Sequence, residues 1–126
     1  MLALSLIACG GAGPTPKPPA IDTGAIAADI DDEQAQLAAI VHRDRADCPA
    51  LAAELKTLFA RLTTTFQRAH DAQNDPGVAK RLKRDLQRYD AVARQRDAEI
   101  DADINREAPC VNDASVRAVL MTMPTL

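Results

Sequence analysis

Few residues in this chain have the types and spacing that chemistry needs. His42 and His70 are the two histidines. The helical reading below puts them on different helices near opposite ends of a hairpin, so they cannot share a metal ion. Each is expected at the surface. Cys48 and Cys110 lack the close cysteine or histidine partners of zinc and covalent haem sites. Gly10-Gly11-Ala12-Gly13 follows no strand, so it does not read as a phosphate-binding loop. Ser115 has no base beside it. Carboxylates are abundant, but pairs of them on exposed helix faces are normally solvated. No enzyme is expected, and no metal or cofactor is assigned. One charged cluster remains. Residues 61–88 carry Arg61, Arg68, Lys80, Arg81, Lys83, Arg84 and Arg88 against Asp71, Asp75 and Asp85. Such a basic tip could touch a partner or anionic headgroups, at up to about 1 kcal/mol per charge. It could instead be a solvated face paired with the first helix. The second is the expectation, because exposed charges contribute little.

Asp101-x-Asp103-x-Asn105 resembles the opening of an EF-hand calcium loop. The resemblance fails at position six, which is Arg106 rather than Gly, and at position twelve, which is Asn112 rather than Glu. It also lies within a helical pattern, so calcium is not assigned.

Near the N-terminus, Leu6-Ile7-Ala8-Cys9 closes a short apolar run, and a Gly-Gly pair and a Pro-rich stretch follow. This order resembles the lipobox of bacterial lipoproteins. Leu6 matches the aliphatic position, Ile7 a permitted apolar one, Ala8 the small one and Cys9 the lipidated cysteine. The resemblance implies cleavage before Cys9, diacylglycerol on its sulfur and usually an acyl chain on its amine, since stable attachment needs more than one chain. Residues 1–8 are then a signal-peptide remnant, residues 9–21 an anchor and tether, and residues 22–126 a folded domain. Gly10, rather than an aspartate, implies by analogy the outer membrane, facing the periplasm. Pro14, Pro16, Pro18 and Pro19 favour extended polyproline geometry, at about 3.1 Å per residue, as suits a tether.

The domain composition favours helix. Alanine, leucine, arginine and glutamine are good helix formers. Phe59, Phe66 and Tyr89 are the aromatics, and there is no Trp. An aliphatic core of this kind can fill a bundle but suits a large ligand pocket poorly. The net charge of -3 argues against nucleic acid as a partner. No run approaches the roughly 20 apolar residues of a membrane span.

Periodicity predicts three long helices and a short one. The first covers residues 23–46, with Ile26, Ile30, Leu37, Ile40 and Val41 on one stripe and Asp22 or Thr23 as cap. The second covers 49–73, where Leu51, Leu55, Leu58, Leu62, Thr65 and Ala69 step by four and three in coiled-coil fashion. The third covers 76–107, with Val78, Leu82, Leu86, Tyr89, Ala93, Ile100 and Ile104 inward and Arg96 snorkelling outward. Asp75 caps it and Pro76 opens it. The short helix covers 114–121, capped by Asn112 or Asp113. The fold class expected is all-α: an antiparallel up-down-up three-helix bundle with a short C-terminal fourth helix.

This topology brings Cys48, just before helix 2, and Cys110, just after helix 3, to the open end of one hairpin. If lipid takes Cys9, the remaining pair in an oxidising compartment reads as a disulfide. Matching the ends requires a bend or early stop in helix 3. That helix is also charged against its dipole, with Lys80, Arg81, Lys83 and Arg84 at its start and Asp97, Glu99, Asp101 and Asp103 toward its end. Each misplaced charge costs a few tenths of a kcal/mol. The acidic start of helix 1 (Asp22, Asp29, Asp31, Asp32, Glu33) is expected beside the basic start of helix 3 as compensation.

The function these features favour is an envelope-tethered helical scaffold or interaction protein without catalytic activity. It is held to the membrane through Cys9 and binds an envelope protein whose identity the residues do not name. A periplasmic chaperone or stress sensor with an apolar client face is the alternative, followed by a small-ligand or metal-binding bundle. Oligomeric state is not legible.

Overall fold

A computed structural model describes residues 20–105 and 107–126. The lipobox and most of the tether, with Cys9, lie outside the described residues. Among the described residues five helices follow one another: α1 (Thr23–Asp44), α2 (Cys48–Ala72), α3 (Pro76–Gln87), α4 (Asp90–Asp103) and α5 (Ala114–Leu120). No strand occurs among the described residues.

Four of the five starts use the same device, an aspartate whose side chain accepts backbone N–H groups that the first turn leaves without partners. Asp22 accepts from Ala25 at 2.9 Å and Asp47 from Ala50 at 3.2 Å. Asp75 accepts from Gly77 at 2.8 Å and Val78 at 3.2 Å, and Asp113 from Val116 at 2.9 Å. Pro49 and Pro76 sit in first turns, where a missing N–H costs nothing.

The expected third helix is two helices. The Tyr89 N–H donates to the Leu86 carbonyl at 3.0 Å, a single 3₁₀-type turn, and α-helical bonding resumes with Ala93 N–H to Tyr89 O at 2.8 Å. The break relieves the charge misplacement read from the sequence. α3 now ends with Arg84 in its last turn, and α4 begins on Asp90, so both new termini carry the sign their dipoles favour. The far end also stops early, at Asp103 rather than residue 107. There the Asn105 side chain donates to the Ala102 carbonyl at 2.7 Å and accepts from the Glu107 N–H at 2.9 Å. Bend and early stop together set the ends level. The Cα atoms of Cys48 and Cys110 are 5.3 Å apart, at disulfide distance.

Side-chain bonds fix the directions. Against α2, residues 29, 33, 36 and 43 of α1 meet Arg68, Thr65, Arg61 and Glu54, so the two run antiparallel. Against α3 and α4, residues 23, 31, 34 and 42 meet Asp85, Arg96, Asp97 and His42's partner Asp103, so these run parallel to α1. The chain is thus an up-down-up bundle with α5 packed on α2. Within it, α1 is the shared element. Both neighbours pack on α1, while α2 meets α3 chiefly near their connecting turn.

The core has two parts. One holds Ile40, Val41, Leu51, Leu55, Leu58, Phe59, Leu62, Cys110 and Val116 at the disulfide end. The other holds Ile26, Ala27, Ala69, Ala72, Val78 and Leu82 at the end where α1 begins. Leu51, Leu55 and Leu58 are essentially fully buried, each worth roughly 1.5–3 kcal/mol of burial. No helix among the described residues is long and apolar enough to cross a membrane.

Candidate functional site

Because α2 and α4 both lean on α1 and hardly on each other, a cleft of about 430 Å³ opens between them. Its floor is the α1 flank of Ala27, Ile30, Gln34 and Leu37. One wall is Leu62 and Phe66 of α2; the other is Leu86, Tyr89, Ala93 and Asp97 of α3 and α4. The segment from Met123 to Leu126 lies along one side. Met123 and Leu126 are about half exposed there, and Met121 nearby is 87% exposed. The sequence reading held a large pocket to be poorly suited to so few aromatics. Two of the three aromatics are instead cleft residues, and only Phe59 is deep in the core.

The polar groups at the rim are mostly carboxylates. Asp31 is bonded to Arg96, whose guanidinium also donates to the Asp31 carbonyl at 3.0 Å. Arg96 therefore does not snorkel outward as expected. It turns toward α1, with its side chain 19% exposed. Gln34 donates to Asp97 at 3.0 Å and to the Ala93 carbonyl at 3.4 Å. Asp90 and Asp97 make no ion pair among the described residues. The mouth is thus apolar inside and electronegative along the α4 edge.

The seven cations of the basic tip divide. Arg68 pairs with Asp29 at 2.9 Å, Arg61 donates to the Gln36 side-chain Oε1 at 2.7 Å, and Arg88 lies 3.7 Å from Asp85. Lys80, Arg81, Lys83 and Arg84 share the exposed face of α3, opposite its buried Val78, Leu82 and Asp85. With Gly77 and Gln87 they wall a shallow hollow. None of the four pairs with a carboxylate among the described residues. The acidic start of helix 1 does run alongside α3, as expected, but it forms no ion pair with these four cations. Its carboxylates are taken up elsewhere: Asp29 by Arg68, Asp31 by Arg96, Asp32 by Gln36 at 2.8 Å and Glu33 by Thr65 at 2.8 Å.

The remaining candidates are used separately. His42 is 69% exposed with Nδ1 3.1 Å from Asp103, and His70 is exposed. Asp103 thus serves His42 and Asn105 serves the helix end, so the Asp-x-Asp-x-Asn triplet does not converge on a point. Among the described residues, no group of three or more His, Cys, Asp or Glu could hold a metal ion. Cys110 is buried against the first core, next to Cys48.

Sequence reasoning missed the cleft. Its residues were counted as buried stripe, and Leu86, Tyr89 and Ala93 are only half-buried. The available signal was Asp31 and Gln34, polar residues flanking the helix 1 stripe where a third helix would have to pack. No known protein family, curated protein or solved structure matches the chain.

Proposed function

We propose that this chain is a lipid-anchored interaction module of the bacterial envelope, not an enzyme, and that its working surface is the cleft between α2 and α4. The observation that carries this reading is the cleft itself. A bundle serving only as a spacer gains by closing its apolar walls on each other, at roughly 25 cal/mol for each Å² removed from water. Here Phe66, Tyr89 and Leu86 face an open groove. The apolar lining and the carboxylates of Asp90 and Asp97, neither in an ion pair among the described residues, suit one kind of partner. It is an envelope protein presenting an apolar segment flanked by Lys or Arg.

The address rests on Leu6-Ile7-Ala8-Cys9 and is supported by the Cys48–Cys110 pair, since stable disulfides belong to oxidising compartments. Mass spectrometry of the native protein from membranes would report lipid on Cys9 and the state of the other two thiols. An unmodified chain with three free thiols would refute the address. A chaperone would have to use this same cleft, because the α2 stripe from Leu51 to Leu62 is buried.

The binding reading is tested by a photo-crosslinker placed at Phe66, with Thr57 on the exposed side of α2 as control. The expected outcome is an adduct from position 66 whose mapped peptide is apolar with flanking cations. Equal labelling from both positions, or a mapped peptide rich in carboxylates, would sink it.

A further inference from the structure

We infer that α3 is a membrane-docking helix, whose face of Lys80, Arg81, Lys83 and Arg84 binds anionic phospholipid headgroups. The fold sets the orientation of these cations. Val78, Leu82 and Asp85 hold the other side of α3 in the domain, so the basic side can face only outward. The chain as a whole carries a charge of -3 and would be repelled by an anionic surface. A local reversal of sign is therefore what docking requires, and α3 supplies it. The carboxylates at this end keep their charge but lie off the basic face. Asp85 is on the buried side of α3, Asp29 is paired with Arg68, Asp71 is on α2, and Asp22 and Asp75 sit at the first turns of α1 and α3, so the reversal of sign is confined to the outward face of α3.

Placement is the second argument. Thr23 at the first turn of α1 donates to Asp85 of α3 at 2.6 Å, within the buried interior. The point where residues 1–19 join the domain is thus fastened to the basic helix. Ile21, 44% exposed, adds an apolar side chain at the same end. The placement rests on the lipid-anchor reading: an anchor on Cys9 makes this the end nearest the bilayer. Surface potential fades within about 8–10 Å at physiological salt, so only charges at the near end act. Anionic headgroups fit this face better than a folded acidic protein, because a convex helix with four spaced cations matches a fluid surface that can rearrange around it.

The test uses residues 9–126 with Cys9→Ser, which removes the apolar run Leu2–Ala8 and any lipid while keeping the tether and the whole folded domain. It compares sedimentation with vesicles of phosphatidylcholine alone and vesicles also containing phosphatidylglycerol, with polyphosphate as a soluble polyanion. Binding is expected only to the anionic vesicles, weakening as salt rises. Replacing Lys80, Arg81, Lys83 and Arg84 together by Gln is expected to lower it by up to about a thousandfold. Replacing Arg61 and Arg68 by Gln is expected to leave it nearly unchanged. Thermal unfolding of both variants checks that the fold survives. No binding to anionic vesicles, equal loss in the Arg61/Arg68 variant, or tighter binding to polyphosphate than to vesicles would each overturn the assignment. Failure of the anchor reading is separate and shows as an unmodified Cys9 in the wild-type membrane fraction.

Discussion

Breaking the Cys48–Cys110 link should cost this domain much of its stability. The two residues are 62 apart in sequence, so the bond closes a loop covering most of α2, α3 and α4. In the chain-entropy treatment, a loop of that length stabilises by about 4 kcal/mol, by restricting the unfolded chain. Globular domains of this size gain roughly 0.2 kcal/mol/K of unfolding entropy at the midpoint, so the melting temperature should fall by about 15–20 °C. The comparison is best made within one chain, Cys9→Ser, oxidised and then reduced, because the same atoms are present in both. The Cys48→Ala/Cys110→Ala variant should melt lower still, since Cys110 is 1% exposed and its sulfur fills core space beside Val116. Urea unfolding adds a second reading. A cross-linked unfolded chain exposes less surface, so the oxidised form should show the smaller denaturant slope. Equal midpoints for oxidised and reduced protein would refute the reasoning. So would a reduced form with the higher midpoint.

Leu58→Ala should cost about 2–5 kcal/mol in chemical denaturation, because this side chain is completely buried in the core at the disulfide end; a loss below 1 kcal/mol would mean that the core there collapses around the vacancy. Asp75→Ala should cost about 1 kcal/mol by removing the cap of α3, with Asp75→Asn close to wild type. Amide hydrogen exchange should be fastest, among the four longer helices, in α4, which has no buried residue; protection there equal to that of α2 would contradict this. Tyr89 is the only Tyr and there is no Trp, so titrating a Tyr- and Trp-free peptide with a Leu/Phe face and Arg flanks should change the intrinsic fluorescence. Phe66→Asp should abolish the change, and a persisting change would place the peptide elsewhere.

The bundle was legible in the sequence wherever burial is two-sided. Leu51, Leu55, Leu58, Leu62, Thr65 and Ala69 are buried at every predicted position, because α2 packs on α1 and, near its start, on α5. The Asp75 cap and Pro76 were legible too, and Asp22 and Asp113 were each one of two candidates, since a cap's role is local and needs no tertiary context; Asp47 was not read as one. The need for a bend or early stop in helix 3 was legible from the two ends of the hairpin, but the place where it divides was not. Its apolar stripe runs unbroken through residues 82, 86, 89 and 93, so periodicity carries no mark of the turn at Tyr89. The mark was electrostatic instead: a helix with basic start and acidic end lowers its energy by dividing where Arg84 and Arg88 meet Asp90. The partners of α1's carboxylates were illegible for a different reason. Charge blocks show which ends attract, but only register decides that Asp31 meets Arg96 rather than a lysine of α3. That register also left the basic face of α3 without ion pairs among the described residues and α4 packed on α1 rather than on α2, which is how both candidate surfaces arise.

The cleft's two walls are held by unlike forces, and that difference bears on what the cleft can do. The α2 wall belongs to a helix with nine buried positions. The α4 wall is fastened to α1 by Arg96 to Asp31, Gln34 to Asp97 and His42 to Asp103. Contacts of this kind contribute about 0.2–1 kcal/mol each where water reaches them. Apolar burial would have fixed α4 at one distance, since packed surfaces lose contact energy steeply when they separate. A polar seam tolerates small displacements, because water can bridge groups that move apart. A partner's side chains could therefore widen the groove at the α4 edge without disturbing the Leu51–Leu58 core or the Cys48–Cys110 link. The rigid end carries the disulfide, the adjustable wall carries the carboxylates, and the basic helix lies at the end where the chain enters. On the two proposed readings, a membrane surface and a protein segment would not compete for one site, because α3 turns its basic face outward and Leu86 toward the cleft.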